Sequence, residues 1–114
     1  MDERTQKWLL DALNAANLIH EFTSSKTFDD YCSDQLLKSA IERQFEILGE
    51  ALKRVRDHER EFFEQLSGAH EAVAFRNVLA HCYDSIEDTI VWNTIEEYLA
   101  PLRQGLADLT RSIS

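Results

Sequence analysis

The segment from Asp34 to Asp57, DQLLKSAIERQFEILGEALKRVRD, decides the fold. Leu37, Ile41, Phe45, Leu48, Leu52 and Val55 recur in it at three- and four-residue steps, the spacing of one face of a long helix. Ser33 or Asp34 stands at its start as a capping residue. Gly49, in the middle of the run, costs about 1 kcal/mol relative to alanine in a helix interior. Close approach of another helix, with a second subunit as one source of it, is the expected reason. Glu50 beside it reads either as a buried hydrogen-bond acceptor or as a surface charge. The stretch Lys53–Arg60 carries both signs of charge and reads as a solvated helix end whose cations can help attract a polyanion.

Working outward, Trp8, Leu9, Ala12, Leu13, Ala16 and Ile19 form an apolar stripe on a helix from about Asp2 to Phe22, with Asp2 and Glu3 in its first turn. Thr23-Ser24-Ser25 ends it, because these side chains compete for backbone hydrogen bonds. Thr27-Phe28-Asp29-Asp30 resembles a capping box with Asp in the Glu position, opening a short helix from Phe28 to about Cys32. Phe62–Leu66 reads as a short helical piece, and Ser67-Gly68 breaks it. A helix from about His70 is expected to carry Val73, Ala74, Val78 and Leu79 inward. Asp84–Asp88 reads as a helix start after a bend between Tyr83 and Ile86. The last helix repeats through Val91, Ile95, Tyr98, Leu102, Leu106, Leu109 and Ile113, and Pro101 should kink it. The pattern predicts an all-α antiparallel four-helix bundle with an extra short helix or two, in one domain over residues 1–114.

Composition narrows the function. Apolar residues at 44% and charged residues at 29% suit a globular chain, and three glycines with one proline favour long helices. No apolar run exceeds four residues, so no membrane span is expected. The charged start Met1-Asp2-Glu3-Arg4 shows no signal peptide, and Cys32 and Cys82 lack metal-ligand spacing. Both read as reduced thiols of a cytoplasmic protein. A formal charge of −9 excludes a generally basic, nucleic-acid-coating surface. It leaves room for a local positive site acting on RNA, or for a basic protein partner.

The polar groups that no core requires fall together in Arg76-Asn77-Val78-Leu79-Ala80-His81-Cys82-Tyr83. Arginine is a permanent cation that can fork two hydrogen bonds onto a phosphate. Histidine exchanges a proton near neutral pH. Such a pair suits chemistry on a phosphodiester. Asn77 reads as a supporting residue or a helix-end hydrogen bonder, and Cys82 as filler, since no basic partner is placed to lower its pKa. His20, His58 and His70 read as structural. On a regular helix at 100° per residue, Tyr83 returns to the face of Arg76, whereas His81 lies roughly 140° round and shares a face with Asn77. Either the helix loosens before His81, or a symmetry-related copy completes the site across a two-fold axis.

The spacing Arg-x4-His-x-Tyr resembles the signature of the HEPN superfamily, specifically its HepT-like branch. Phe45-Glu46-Ile47-Leu48-Gly49-Glu50-Ala51 is similar to an apolar-apolar-Gly-Glu-Ala segment of that branch, and Val91-Trp92 through Leu99-Ala100-Pro101-Leu102 resembles its closing helix. The resemblance covers most of the chain. The approach to the motif departs from it, with Phe62-Phe63 and then Gly68-Ala69-His70 in place of a proline-aromatic segment ending in tryptophan. The resemblance implies the toxin of a type II toxin–antitoxin pair, a homodimer that cleaves RNA without metal to leave a 2′,3′-cyclic phosphate. His81 would be the general base or acid, Arg76 would stabilise phosphoryl charge, and Asn77 and Tyr83 would bind or support. No cofactor and no metal site are implied. The cognate partner would be a minimal nucleotidyltransferase that silences the toxin by AMPylation of Tyr83. The competing reading is a non-catalytic nucleotide- or partner-binding subunit of that nucleotidyltransferase complex; a purely structural dimerisation bundle is a third.

Overall fold

Helix α1 (Glu3–Thr23) begins at Asp2, whose carboxylate accepts from the Arg4 N–H at 2.7 Å and so satisfies one of the donors left over at a helix start. Asp2 is thus the cap, one residue before the first turn in which the sequence suggested it. In this computed structural model, residues 1–81 and 86–113 are described. The reciprocal box of Thr27 and Asp30 opens α2 (Phe28–Ser33) as predicted, and Asp34 caps α3 (Gln35–His58) by accepting from the Leu37 N–H. A short α4 (Arg60–Phe63) leads to Gly68, whose φ of 89° is left-handed. A Cβ there would also meet the Tyr98 carbonyl at 3.2 Å, so conformation and space both call for glycine. Helix α5 (Ala69–His81) follows, then α6 (Asp88–Thr94) and α7 (Ala100–Thr110).

Helix α1 packs along α3, α5 also packs on α3, and α7 closes on α1. The all-α bundle is therefore present, with α2 and α4 as the short extra helices. All six predicted stripe residues of α3 are buried, as are Leu9, Ala12, Ala16 and Ile19 of α1. Phe45 meets Phe75 edge-on with centroids 4.8 Å apart, which locks α3 to α5. Phe28 and Tyr31 of α2 pack at a tilt against Trp92, and Lys38 pairs with Asp88 at 2.9 Å, fixing α6 to the start of α3.

Two expectations are corrected. Ala74 and Val78 of α5 face outward, and the buried set is Ala69, Ala72, Val73, Phe75 and Leu79. Phe75, the largest apolar side chain on the helix, sets the rotation, whereas the small Ala74 carries too little apolar area to turn the helix toward itself. The final helix does not simply kink at Pro101. A π-helical turn, Ile95–Leu99, precedes it, and burial passes to Leu99 while Tyr98 is left exposed. Proline lacks an N–H and its ring crowds the carbonyl four residues back. The wider turn accommodates both before α7 resumes.

At Gly49, α5 lies directly against α3. A Cβ on it would stand 2.2 Å from the Arg76 Cβ and 3.2 Å from the Ala72 carbonyl. The approaching helix belongs to the same chain. Gly49→Ala, although it favours the isolated helix, is expected to destabilise the fold by about 1–2 kcal/mol and lower Tm by roughly 4–10 °C in a circular-dichroism melt.

The ends of α1 and α3 are joined by a polar clasp. The Asp2 N–H donates to Glu59 Oε1 at 2.6 Å, and His58 Nε2 lies 3.3 Å from the Asp2 carboxylate. The Arg4 N–H, then His58, hold the Asp2 carboxyl below its ordinary range, and the Thr5 hydroxyl, then the Asp2 N–H, do the same for Glu59. Both groups stay ionised to lower pH when folded than when unfolded. Their contribution is complete above the ordinary carboxylate range near pH 4 and is lost as pH falls through the depressed folded values. Tm should drop below about pH 4, and a combined Asp2→Asn, Glu59→Gln variant should lose part of that acid dependence.

Candidate functional site

Because Gly49 offers no side chain, the stem of Arg76 lies directly on the α3 backbone and its guanidinium emerges over Glu50. Arg76 Nη2 is 3.1 Å from Glu50 Oε2, while Arg54 Nε donates to Glu50 Oε1 at 3.2 Å. One carboxylate therefore bridges two guanidiniums. Arg76 Nη1 also makes a long contact, 3.4 Å, with the Asn77 side-chain oxygen. The Arg76 side chain keeps 31% of its surface in solvent and Glu50 keeps 36%, so the bridge is reachable from outside. Glu50 is thus neither a buried acceptor nor a lone surface charge.

The bridge forms one wall of a groove of about 420 Å³ bounded by α1, α3 and α5. Trp8, Ile47, Ala51 and Ala80 supply its apolar lining. Lys7 and Arg43 face the same space, each with a carboxylate of its own: Lys7 Nζ lies 2.8 Å from Asp11, and Arg43 lies 3.4 Å from Glu46. Four cations stand against three carboxylates in the lining of a chain whose net charge is −9.

His81 is the last residue of α5 and is exposed, on the same face as the exposed Asn77 one turn earlier. The helix stays regular through His81, so loosening before it does not occur. Among the described residues, no hydrogen bond or ion pair joins Arg76 to His81. The structure therefore places Arg76 in the groove with Asn77 beside it, and His81 beyond them at the helix end. Tyr83 and Cys82 lie outside the described residues.

His58 and His70 have structural surroundings, while His20 is exposed. His58 joins the clasp and meets Trp8 edge-on; His70 lies 3.2 Å from Glu64 and packs on the Phe63 ring. Cys32 is half-buried, and burial, with Asp88 nearby, pushes its thiol up, which disfavours the nucleophilic thiolate. Among the described residues, Asp2, His58 and Glu59 bring potential ligand atoms within 4.8 Å of one another. Sequence spacing could not reveal that group, and its atoms already serve the α1–α3 clasp. Arg54 appears in the sequence reading only within the charged run Lys53–Arg60 and is not singled out there. Its four-residue spacing from Glu50 was a visible signal, whereas the pairing of Glu50 with Arg76 exists only after folding.

A family model described as "Ribonuclease HepT-like" matches residues 12–109. The chain belongs to the HepT-like family. It is 30% identical over 105 residues to "Putative RNase MJ1380" of Methanocaldococcus jannaschii, covering 91% of this chain and 95% of that protein. It is 28% identical to "Probable ribonuclease HepT" of Thermococcus cleftensis, covering 90% and 93% of the two chains. A third relative, "Putative RNase TTE0752" of Caldanaerobacter subterraneus, is 28% identical with 90% of each chain covered. No solved structure gives a significant match. The HepT-like match spans each described helix at least in part, including the groove residues on α3 and α5.

A double-mutant cycle on Arg76→Ala and Glu50→Ala, read by urea denaturation, should give a coupling of about 0.5–1 kcal/mol, as for a solvent-accessible pair. A coupling indistinguishable from zero would mean that the two side chains do not hold each other in solution.

Proposed function

We propose that this HepT-like chain is a metal-independent endoribonuclease and the toxin of a type II toxin–antitoxin pair. What carries the reading is that α5 holds Arg76, Asn77 and His81 within reach of solvent, in a chain of a ribonuclease-named family. None of the three is sealed in the core. In the proposed reaction an imidazole takes the proton of a ribose 2′-hydroxyl, whose oxygen attacks the adjacent phosphorus. The 5′-oxygen leaves and receives a proton, and the 2′,3′-cyclic phosphate remains. Arg76 stabilises the charge that builds on the phosphoryl oxygens, and Asn77 orients His81 or holds a phosphate.

Regular helical geometry through His81 favours a homodimeric site, in which a two-fold axis supplies a second imidazole and brings each Arg76 near a histidine. The chain acts as one domain over residues 1–114 in the cytoplasm; no helix of the described residues is long and apolar enough to cross a membrane. A cognate minimal nucleotidyltransferase silences the toxin by AMPylation of Tyr83, which adds bulk and negative phosphate beside the cleft. This role follows from the family resemblance of the motif.

The test compares wild type with Arg76→Ala and His81→Ala on labelled RNA in the presence of EDTA. Cleavage should fall at least 100-fold in each variant, in line with the loss of a charge-stabilising or proton-transferring group. The wild-type product should carry a cyclic phosphate by mass spectrometry. Intact RNA with all three proteins would favour instead the non-catalytic, nucleotide- or partner-binding subunit. Incubation with the partner enzyme and ATP should add AMP to Tyr83, and a Tyr83→Phe variant should stay unmodified and toxic.

A further inference from the structure

The geometry points to Glu50 as an internal plug: its carboxylate occupies, in the free protein, the seat that Arg54 and Arg76 offer to a phosphate of single-stranded RNA. The inference rests on the ribonuclease reading and adds to it a phosphate-binding residue, Arg54, and a competing anion built into the site. Two guanidiniums converge on the two oxygens of one carboxylate, at 3.2 and 3.1 Å. Each guanidinium gives one charge-assisted contact to a separate oxygen, and the oxygens of a phosphate can accept the same two contacts. Gly49 makes the convergence possible, since any side chain there would push the Arg76 stem off α3.

Glu50 differs from the other carboxylates of the groove. Asp11 and Glu46 each serve a single cation on their own helix, one turn away. Glu50 is shared between a cation of its own helix and one from α5, so displacing it frees two positive charges at once. All three partners of the bridge are part-exposed, so an entering phosphate can replace the carboxylate without unfolding anything. The exchange is one anion for another, and Glu50 moves into solvent as the phosphate docks. In a chain of net charge −9, such a seat would let RNA bind while weaker or more distant anions are turned away by the resident carboxylate.

The experiment measures binding of a fluorescent single-stranded 2′-O-methyl RNA by anisotropy at constant salt. This probe has no free 2′-hydroxyl and cannot be cleaved, so the readout is independent of catalysis. Glu50→Gln should bind it roughly fivefold tighter than wild type, the scale of one accessible ion pair. Glu21→Gln, which removes the same charge from the exposed end of α1, should leave the Kd within about twofold, as expected for a screened distant charge. Arg54→Gln, which leaves Glu50 to Arg76 alone, should weaken binding roughly fivefold, the scale of one lost phosphate contact. A Glu50→Gln Kd equal to or weaker than wild type overturns the plug, and so does an equal gain from Glu21→Gln. An unchanged Kd for Arg54→Gln overturns the two-arginine seat even if Glu50→Gln does not fold. If wild type leaves ordinary RNA intact while Glu50→Gln still binds the probe more tightly, the ribonuclease reading fails and the anion seat stands.

Discussion

A missing side chain at Gly49 is the constraint on which the site depends. With only hydrogen on that Cα, the backbone of α3 accepts the Arg76 stem in direct contact, and α5 settles close enough for Phe75 to reach Phe45. The same contact fixes where the guanidinium leaves the helix pair. Packing and placement of charge are therefore one event here: the position that brings two helices together also aims a cation. The helix-propensity penalty of glycine, about 1 kcal/mol, is offset by contacts that no other residue type would permit.

Electrostatics work on two scales. The whole chain is acidic, but at physiological ionic strength a charge is largely screened beyond about 8 Å. What an approaching polyanion meets at close range is the groove, where cations slightly outnumber carboxylates. Every one of those cations is engaged internally, which holds the side chains in place without lowering their charge. The pairing leaves little uncompensated positive charge in the groove.

Local and periodic signals were legible in the sequence. The stripe of α3, the Thr27–Asp30 box, the Asp34 cap and the break at Gly68 all follow from neighbours within four residues, and each is found. The rotation of α5 is not legible because its apolar residues surround much of the helix; Ala74 and Val78 look as suitable for burial as Ala72 and Phe75 until α3 is in place. For the site, the spacing from Arg76 to His81 poses a real geometric problem, and the regular helix does not bring the two residues together within one chain. The Glu50–Arg76 contact spans two helices and 26 positions, so no periodicity could announce it.

The π turn before Pro101 adds one residue to a helical circuit. Inserting a residue into an ordinary helix swings everything after it round by about 100°. Here the surplus is absorbed within Ile95–Leu99, so the two halves of the closing arm can be set independently. Asp88–Thr94 keeps its alignment with α2 and α3, while Ala100–Thr110 meets α1 in a register of its own. The arm is thus two short helical segments whose faces are offset by the π turn between them.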